Sequence, residues 1–342
     1  MANNNDDEVE RHSYTLVDLG DITDDELGQI THLWVMVEKV VPPEGGPIPE
    51  NKPLSSRVGL CISMTELVLF NCSVIPPEIS NCTLLSKLKL ISMGNAPTYD
   101  GGDCRIELPE IILHNLTTVY IKGNGNWNAD EIITWLATSC PNLTFLYFCS
   151  LSQDTANHFM CSLQDNVEII EKISSTLIGI AFSDCNLNED DALMILYDVR
   201  QLYPRLRNID LRNNNIESIE TIGTAMRELP PANNDMLQSN LRRLWFNGNA
   251  FLGNLNNPNS SDHAAMIRLL KNLPSLGKIT LKHATITCSS IIHYMLMING
   301  SGLRHLLDDS HGGTRLSILP YVMHHVYNQR EQDPTTIFTF LR

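Results

Sequence analysis

The sequence predicts an α/β protein built from stacked repeat units, and two observations carry this prediction. A short apolar frame, L-x-x-L-x-L-x-x-N-x-L, returns along most of the 342 residues. Successive frames begin about 30 residues apart, which leaves room for a strand and an outer helix in most units. Because one such unit cannot bury its apolar face alone, the units are expected to stack.

The clearest copy of the frame begins at Leu206. Ile209 and Leu211 alternate with polar neighbours, as in a short β-strand whose apolar side chains face a core. Asn214 follows this strand, where its amide can bond backbone groups that the strand leaves unpaired. Ile216 then turns back under the strand. This pattern predicts one strand and one turn in each unit.

Seven further frames begin at residues 64, 85, 116, 143, 177, 241 and 276, and a ninth is indicated at Leu303. Their apolar slots are filled far more often than a hydrophobic content of 43% gives by chance. The ninth slot holds Asn or Cys in five frames, namely Cys72, Asn124, Cys185, Asn214 and Asn249. The sequence therefore predicts an array of structural repeats whose length and residue pattern are irregular.

On these residues, the region 61–307 resembles leucine-rich repeat proteins. The stretch Ser139-Cys140-Pro141-Asn142-Leu143 is similar to the join between repeats in the cysteine-containing, ribonuclease-inhibitor-like subtype, and 74–79 is more similar to the plant type. The resemblance implies a leucine-rich repeat solenoid, or horseshoe, of class α/β. Its parallel β-sheet would form the concave side, and its convex side would be mostly helical.

Four segments are predicted. Residues 1–26 carry nine acidic residues against one Arg and are expected to be largely disordered. Residues 27–60 are expected to form an N-terminal cap or degenerate first repeat, followed by a Pro/Gly-rich linker. Residues 61–307 form the array of eight to nine repeats, and 308–342 form a helical C-terminal cap that shields the last repeat.

Helical periodicity predicts the outer segments from residue 128 onward. Expected helices cover 130–139, 154–172, 219–229, 262–273 and 287–298. Another begins after Asn188, which is followed by acidic residues in the first turn and acts as its N-cap. The expected buried stripes are Phe159, Met160, Leu163, Val167 and Ile170 in the second helix, and Met194, Ile195 and Leu202 in the helix after Asn188.

Composition excludes several classes of function. The net charge is −15, so a general nucleic-acid or anionic-membrane binder is not expected. No apolar run approaches 18 residues and no signal peptide is recognised, so no membrane association is expected. Nine scattered cysteines without a C-x-x-C pair favour reduced thiols. We expect a cytoplasmic monomer, with a nuclear location left open.

No catalytic or cofactor motif is recognised. The zinc, Walker and G-x-S-x-G patterns are missing, and Gly123-Asn-Gly125 is interpreted as a turn. The run Asp308-Asp-Ser-His311 places triad residue types side by side, which does not give triad geometry. We therefore expect no enzyme, no cofactor and no metal site.

The third, fifth and seventh frame positions point out of the sheet, and they hold seven basic residues against two acidic ones. Aromatic and Arg side chains are typical interface anchors, although solvated charge is the alternative interpretation. We predict a non-catalytic scaffold that binds a protein or peptide, acidic in charge, on the concave face. The candidate site residues are Lys89, Tyr120, Lys122, Phe145, Tyr147, Arg212, Arg243, Trp245, Lys278 and Lys282.

Two alternatives remain open. A GTPase-activating or regulatory role is suggested because Ran GTPase-activating proteins share repeats of about this length, an argument from fold analogy alone. A substrate-recognition subunit of a ubiquitin ligase would need an adaptor-binding segment, and only 319–327 is available for it.

Overall fold

The computed structural model describes residues 13–15, 19, 22–36, 54–72, 74–92, 106–123, 127–228, 240–273 and 275–280, together with Ile292, Leu296 and Asn299. The chain divides into two compact units, Met1–Leu177 and Ile178–Arg342, which are described separately below as unit 1 and unit 2. The predicted linker, most of the 287–298 helix, the ninth repeat, Lys282 and the C-terminal cap lie outside the described residues.

Unit 1 contains a parallel sheet in chain order. Its strands are β1 (Ser13–Thr15), β2 (His32–Met36), β3 (Glu66–Phe70), β4 (Lys87–Ile91), β5 (Thr118–Lys122) and β6 (Phe145–Cys149). Equal frame positions lie opposite one another from β3 to β6, so that Glu66 pairs with Lys87 and Thr118 with Phe145. The frame thus sets the register.

Unit 2 contains the strands β7 (Gly179–Ser183), β8 (Asn208–Asp210), β9 (Arg243–Trp245) and β10 (Lys278–Thr280). Each pairs in parallel with the next, again at equal frame positions. Parallel strands joined by outer helices confirm the predicted α/β class and repeat architecture.

The segments that connect the strands change character along the chain. In unit 1, α1 (Asp24–Gln29) and two 3-10 helices, Ser56–Leu60 and Pro77–Asn81, precede three longer helices: α2 (Ala129–Ser139), α3 (Gln153–Asp165) and α4 (Val167–Ile173). Unit 2 contains α5 (Glu189–Met194), a π-helical turn (Ile195–Val199), α6 (Arg200–Leu202), α7 (Glu220–Glu228), a 3-10 helix (Ala250–Asn256) and α8 (Ser261–Asn272).

The hydrophobic core is formed by the apolar positions of the repeat frame. The first positions that precede each strand are closed to solvent in both units, as are the described fourth and sixth positions except Ile279 on β10, which is partly exposed. In β3 to β6 these core side chains are Leu67, Leu69, Leu88, Leu90, Val119, Ile121, Leu146 and Phe148. The third and seventh positions of those strands remain partly or fully exposed. The predicted alternation therefore holds in β4 to β6 and orients one face of these strands outward. At the fifth positions of β3, β7 and β8, by contrast, Val68, Ala181 and Asp210 are buried.

The predicted role of the ninth-position Asn is confirmed in unit 2. The Asn214 amide donates to Phe182 O at 2.7 Å and accepts from the Cys185 and Leu187 amides at 2.9 and 3.2 Å. Asn249 repeats the arrangement one unit later, donating to Leu211 O at 2.8 Å. These buried side chains tie each turn to the preceding repeat.

Part of the segment 1–26, which we expected to be largely disordered, has regular structure. Strand β1 lies in this segment, and Asp24 to Glu26 form the first turn of α1. Residues 1–12 lie outside the described residues, and the expectation stays a prediction there. Strand β2 pairs with β3 at full register, His32 opposite Glu66 and Met36 opposite Phe70. The repeat-like pairing thus begins well before residue 61, because Ile30, Leu33 and Val35 supply the same apolar spacing.

The helix expected over 154–172 is two helices, α3 and α4. Asn166 ends α3 and caps α4, where its side chain accepts from Ile169 N at 3.2 Å. The restart rotates the apolar stripe, so Val167 is 66% exposed whereas Ile169 and Ile173 are buried. The prediction of Val167 as a core residue was wrong, and Ile170, also predicted in this stripe, is only partly buried.

The stripe expected after Asn188 also differs. Asn188 is the N-cap of α5, as predicted, with a capping box to Asp191. Ile195 is buried, but Met194 and Leu202 are only partly so. The π-helical turn adds a residue to the helical repeat, and the core side chains become Ala192, Ile195, Leu196 and Val199.

Candidate functional site

The outward face of the unit 1 sheet carries four predicted site residues in contact with one another. Tyr120 and Tyr147 lie at the fifth frame position of neighbouring strands, and their rings stack with centroids 4.3 Å apart and planes within 6°. Phe145 lies 6.2 Å from Tyr147, and the Lys89 ammonium lies 5.3 Å from the centre of the Tyr120 ring. We call Lys89, Tyr120, Tyr147 and Phe145 the aromatic–cation cluster.

The Tyr120 phenol is partly buried and hydrogen-bonded to Tyr147. Burial, together with the neighbouring Tyr147 and the hydrogen bond between the two phenols, raises the pKa of Tyr120 to about 12. Tyr120 therefore stays protonated across the physiological range and can act as a hydrogen-bond donor.

Part of the predicted positive charge is already neutralised. Glu66 contacts Lys89 at 2.7 Å and Lys87 at 3.2 Å, and its side chain is only 14% exposed. Burial acts to raise the pKa of Glu66, but the hydrogen bonds from Lys89 and Lys87 hold it below its ordinary value. Lys122, by contrast, is exposed and forms no ion pair with any residue that the structure describes.

An apolar group beside the cluster was not among the predicted site residues. Trp34 on β2 lies opposite Val68, and its ring is 6.4 Å from that of Phe70. Phe70 lies opposite Ile91 on β4, and Trp34, Phe70 and Ile91 are all partly exposed. Trp34 was missed because β2 was assigned to a cap, although the spacing Ile30, Leu33, Val35 is a partial frame that could have placed it.

The predicted residues of unit 2 form a separate group. Arg212 binds the largely buried Asp210 through its Nε and Nη2 atoms at 2.6 to 2.9 Å. Trp245 lies opposite Asp210 in the sheet and is half-buried. Arg243 and Lys278 lie opposite each other on β9 and β10, and both are exposed.

The outer side of unit 1 has a cavity of about 790 Å³ between α2, α3 and α4. Its polar lining includes Asp130, His158, Cys161 and Asp165. Among the described residues no group of three or more His, Cys, Asp or Glu side chains could hold a metal ion. In the same part of the chain no helix is long and apolar enough to cross a membrane.

No family model and no curated protein matches this chain. Solved structures similar to it include an internalin from Listeria monocytogenes, at 14% identity and a TM-score of 0.29, covering 82% of this chain and 87% of that one. A leucine-rich repeat protein from Leptospira interrogans shares 16% identity at a TM-score of 0.29, covering 75% and 62%. The tropomodulin C-terminal domain of Caenorhabditis elegans shares 10% at 0.34, covering 52% and 97%.

Leucine-rich repeat proteins are thus among the structures similar to this chain. The repeat architecture itself rests on the strand register and on the buried frame positions described above.

Proposed function

We propose that this chain is a non-catalytic protein-interaction module that binds an acidic partner protein on the outward face of the unit 1 sheet. The observation that carries the proposal is the aromatic–cation cluster, which is partly exposed and has the apolar group at Trp34 and Phe70 and the exposed Lys122 beside it on the same face.

The cluster is ordered before any partner arrives. Tyr120 and Tyr147 stack on each other, and Lys89 is anchored by Glu66. Side chains that are already fixed lose little conformational entropy on binding, and large aromatic side chains are the usual anchors of protein interfaces. Five adjacent strands, β2 to β6, span about 20 Å, which suits a folded surface or an extended peptide.

Charge favours an acidic partner at this surface. Lys122 is uncompensated among the described residues, and Glu66 cannot fully neutralise both Lys87 and Lys89. The chain as a whole carries a net charge of −15, so a locally positive patch stands out against its surroundings. Such a field steers an acidic surface toward the patch.

The proposal is tested by affinity purification from source cells with the full-length chain, at about 50 mM and about 200 mM salt. The surface variant Lys122→Gln/Tyr147→Ala is compared with Val167→Ala/Lys172→Gln, which removes an exposed apolar side chain and one Lys on the outer side of the same unit. The same partner should be lost with the surface variant and retained with the control. Equal recovery by both would rule out this surface.

Unit 2 is proposed separately to contribute contact residues for an acidic protein. These residues are Arg212, Arg243, Trp245 and Lys278, and Lys282 lies outside the described residues. The double variant Arg212→Glu/Arg243→Glu should weaken capture of an acidic partner, because charge reversal repels an acidic surface. Unchanged capture would remove the unit 2 residues from the proposal without affecting that for unit 1.

We also propose that the protein is a cytoplasmic monomer and that its repeats are an irregular mixture of subtypes. Light scattering checks the oligomeric state, and microscopy of a tagged chain checks the location.

No described residue favours the two alternative functions. Stimulation of GTP hydrolysis across a panel of small GTPases, or recovery of a cullin adaptor on pull-down, would promote the corresponding alternative over the present proposal.

A further inference from the structure

Four exposed cations lie together where the chain enters the strands of unit 2: Arg207, Arg242, Arg243 and Lys278. We call these residues the basic edge. The Arg242 and Arg243 amides both donate to Arg207 O, at 2.8 and 3.0 Å, and the Lys278 amide donates to Arg242 O at 3.1 Å. The four residues therefore occupy adjacent backbone positions on three neighbouring strands.

The same frame position has a different occupant in unit 1. Arg207 and Arg242 hold the second position, where unit 1 has Thr65, Ser86, Thr117 and Thr144. Each of those hydroxyls donates to the backbone carbonyl of the preceding repeat at 3.0 to 3.2 Å. The repeat architecture thus has a structural use for a small hydroxyl at this position. An Arg side chain does not supply that hydrogen bond.

None of the four side chains forms an ion pair or hydrogen bond with the described residues. The carboxylate of Asp210, the closest in register, is taken by Arg212. Arg243 and Lys278 lie directly opposite each other, an arrangement of like charges that destabilises a sheet. A chain with 39 acidic residues therefore leaves this group of cations uncompensated within the described structure.

From these observations we infer that the basic edge binds a phosphorylated segment of a partner protein. Three of its four cations are Arg, whose planar guanidinium group matches phosphate oxygens in a two-pronged contact. A phosphate monoester carries close to two negative charges at neutral pH. Four cations grouped within about 10 Å can therefore neutralise one or two phosphate groups. A longer polyanion such as a nucleic acid would extend beyond the basic edge and be repelled by a protein of net charge −15.

The inference does not rest on the proposed function. Arg243 and Lys278 occur in both proposals, but the test changes Arg207 and Arg242, which the proposed function does not use. Its test uses the full-length chain and degenerate peptide libraries whose central residue is phosphoserine, glutamate or serine, with a single-stranded oligoribonucleotide as a fourth probe. The phosphoserine library should bind about tenfold more tightly than the serine library. Arg207→Ser/Arg242→Ser, which restores the unit 1 residue type, should abolish that difference.

The control variant Lys172→Gln/Lys271→Gln removes the same amount of charge at two exposed positions outside both proposed surfaces and should keep the phosphoserine preference. Equal binding of the phosphoserine and glutamate libraries would overturn the phosphate assignment. Arg-dependent binding of the oligoribonucleotide without a phosphopeptide preference would overturn the partner class. Each of these results leaves the capture experiment on the aromatic–cation cluster unaffected.

A stability measurement separates a ligand site from a structural role. If the basic edge serves a ligand, Arg207→Ser/Arg242→Ser removes repulsion and adds two possible hydroxyl hydrogen bonds. Its urea midpoint should then equal or exceed that of the wild type. A lower midpoint would show that the arginines stabilise the repeat, and it would overturn the inference.

Discussion

At the scale of single residues, buried amides and left-handed turn positions connect one repeat to the next. Asn214 forms hydrogen bonds with backbone groups on both sides of the preceding turn, and it is almost fully buried. An alanine there would leave the Cys185 and Leu187 amides without this acceptor inside the protein. Unpaired buried donors are costly because water cannot reach them.

We predict that Asn214→Ala lowers the free energy of unfolding by about 3 kcal/mol, measured by urea denaturation. The exposed neighbour Asn215 is the control, since its replacement by Ala should change stability by less than about 0.5 kcal/mol. A similar small effect for both variants would contradict a structural role for the Asn214 side chain.

The residue that follows a strand adopts a left-handed backbone in most repeats. Asn71, Ser150, Asp184 and Asn213 have φ between 52° and 58°, and Gly123 and Gly248 occupy the same frame position with larger values. At Gly123 a Cβ atom would lie 1.8 Å from Ser92 O, so this turn has no space for a side chain.

Gly123→Ala should therefore destabilise the protein by about 2 kcal/mol or more, through backbone strain and the clash with Ser92. Gly253 is a matched control, because a Cβ there meets nothing within 4 Å. Thermal unfolding followed by circular dichroism compares the two variants. A loss for Gly253→Ala as large as that for Gly123→Ala would argue against a specific requirement at the turn.

At the scale of secondary-structure elements, the cap that separates α3 from α4 decides which side chains enter the core. Asn166 restarts the helix and rotates it, which places Ile173 at 1% exposure and Val167 at 66%. Sequence periodicity alone treats 154–172 as one continuous stripe and cannot detect this rotation, because Asn is tolerated inside a helix as well as at a cap.

We expect Ile173→Ala to cost about 2–5 kcal/mol, since it leaves a cavity in the core. Val167→Ala should change the free energy of unfolding by less than about 0.5 kcal/mol because that side chain already faces solvent. The urea midpoints of the two variants provide the measurement. A larger loss of stability for Val167→Ala than for Ile173→Ala would support the single continuous helix predicted from periodicity.

At the scale of the whole molecule, burial makes the folded chain a poor environment for thiolates. Burial raises the pKa of Cys61 to about 11 and that of Cys140 to about 12. Burial and the neighbouring Cys61 raise the pKa of Cys82 to about 12. The unfolded chain ionises these thiols at lower pH, so above about pH 9 the folded state binds more protons than the unfolded state.

The contribution of these thiols to stability is complete below about pH 9 and is lost as pH rises toward 11 and 12. We predict that the urea midpoint falls between pH 8 and pH 10.5, and that Cys140→Ala, although less stable at pH 8, declines less steeply. An identical decline in the variant would exclude a contribution from Cys140.

Burial of the thiols also controls their reactivity toward alkylating reagents. Iodoacetamide at pH 8 should label the exposed Cys161 in the folded protein and leave Cys61, Cys82 and Cys140 unmodified until denaturant is added. Mass spectrometry of the digested protein reads out each site. Labelling of Cys140 at the rate of Cys161 in the folded protein would contradict the buried position of Cys140.

The amino-acid sequence by itself determined the repeat frame, the outward orientation of Tyr120 and Tyr147, and the capping role of Asn188. These features depend on local spacing and on side-chain chemistry within a few residues, which are visible in a single chain. The tertiary structure decided which charges remain available, because Glu66 meets Lys89 only when β3 and β4 pair, and Asp210 holds Arg212 at the end of its own strand. It also added Trp34 to the candidate surface, since β2 joins the sheet by pairing with a strand more than 30 residues away. Contacts between distant segments depend on register and burial, and spacing along the chain specifies them only where the frame is complete.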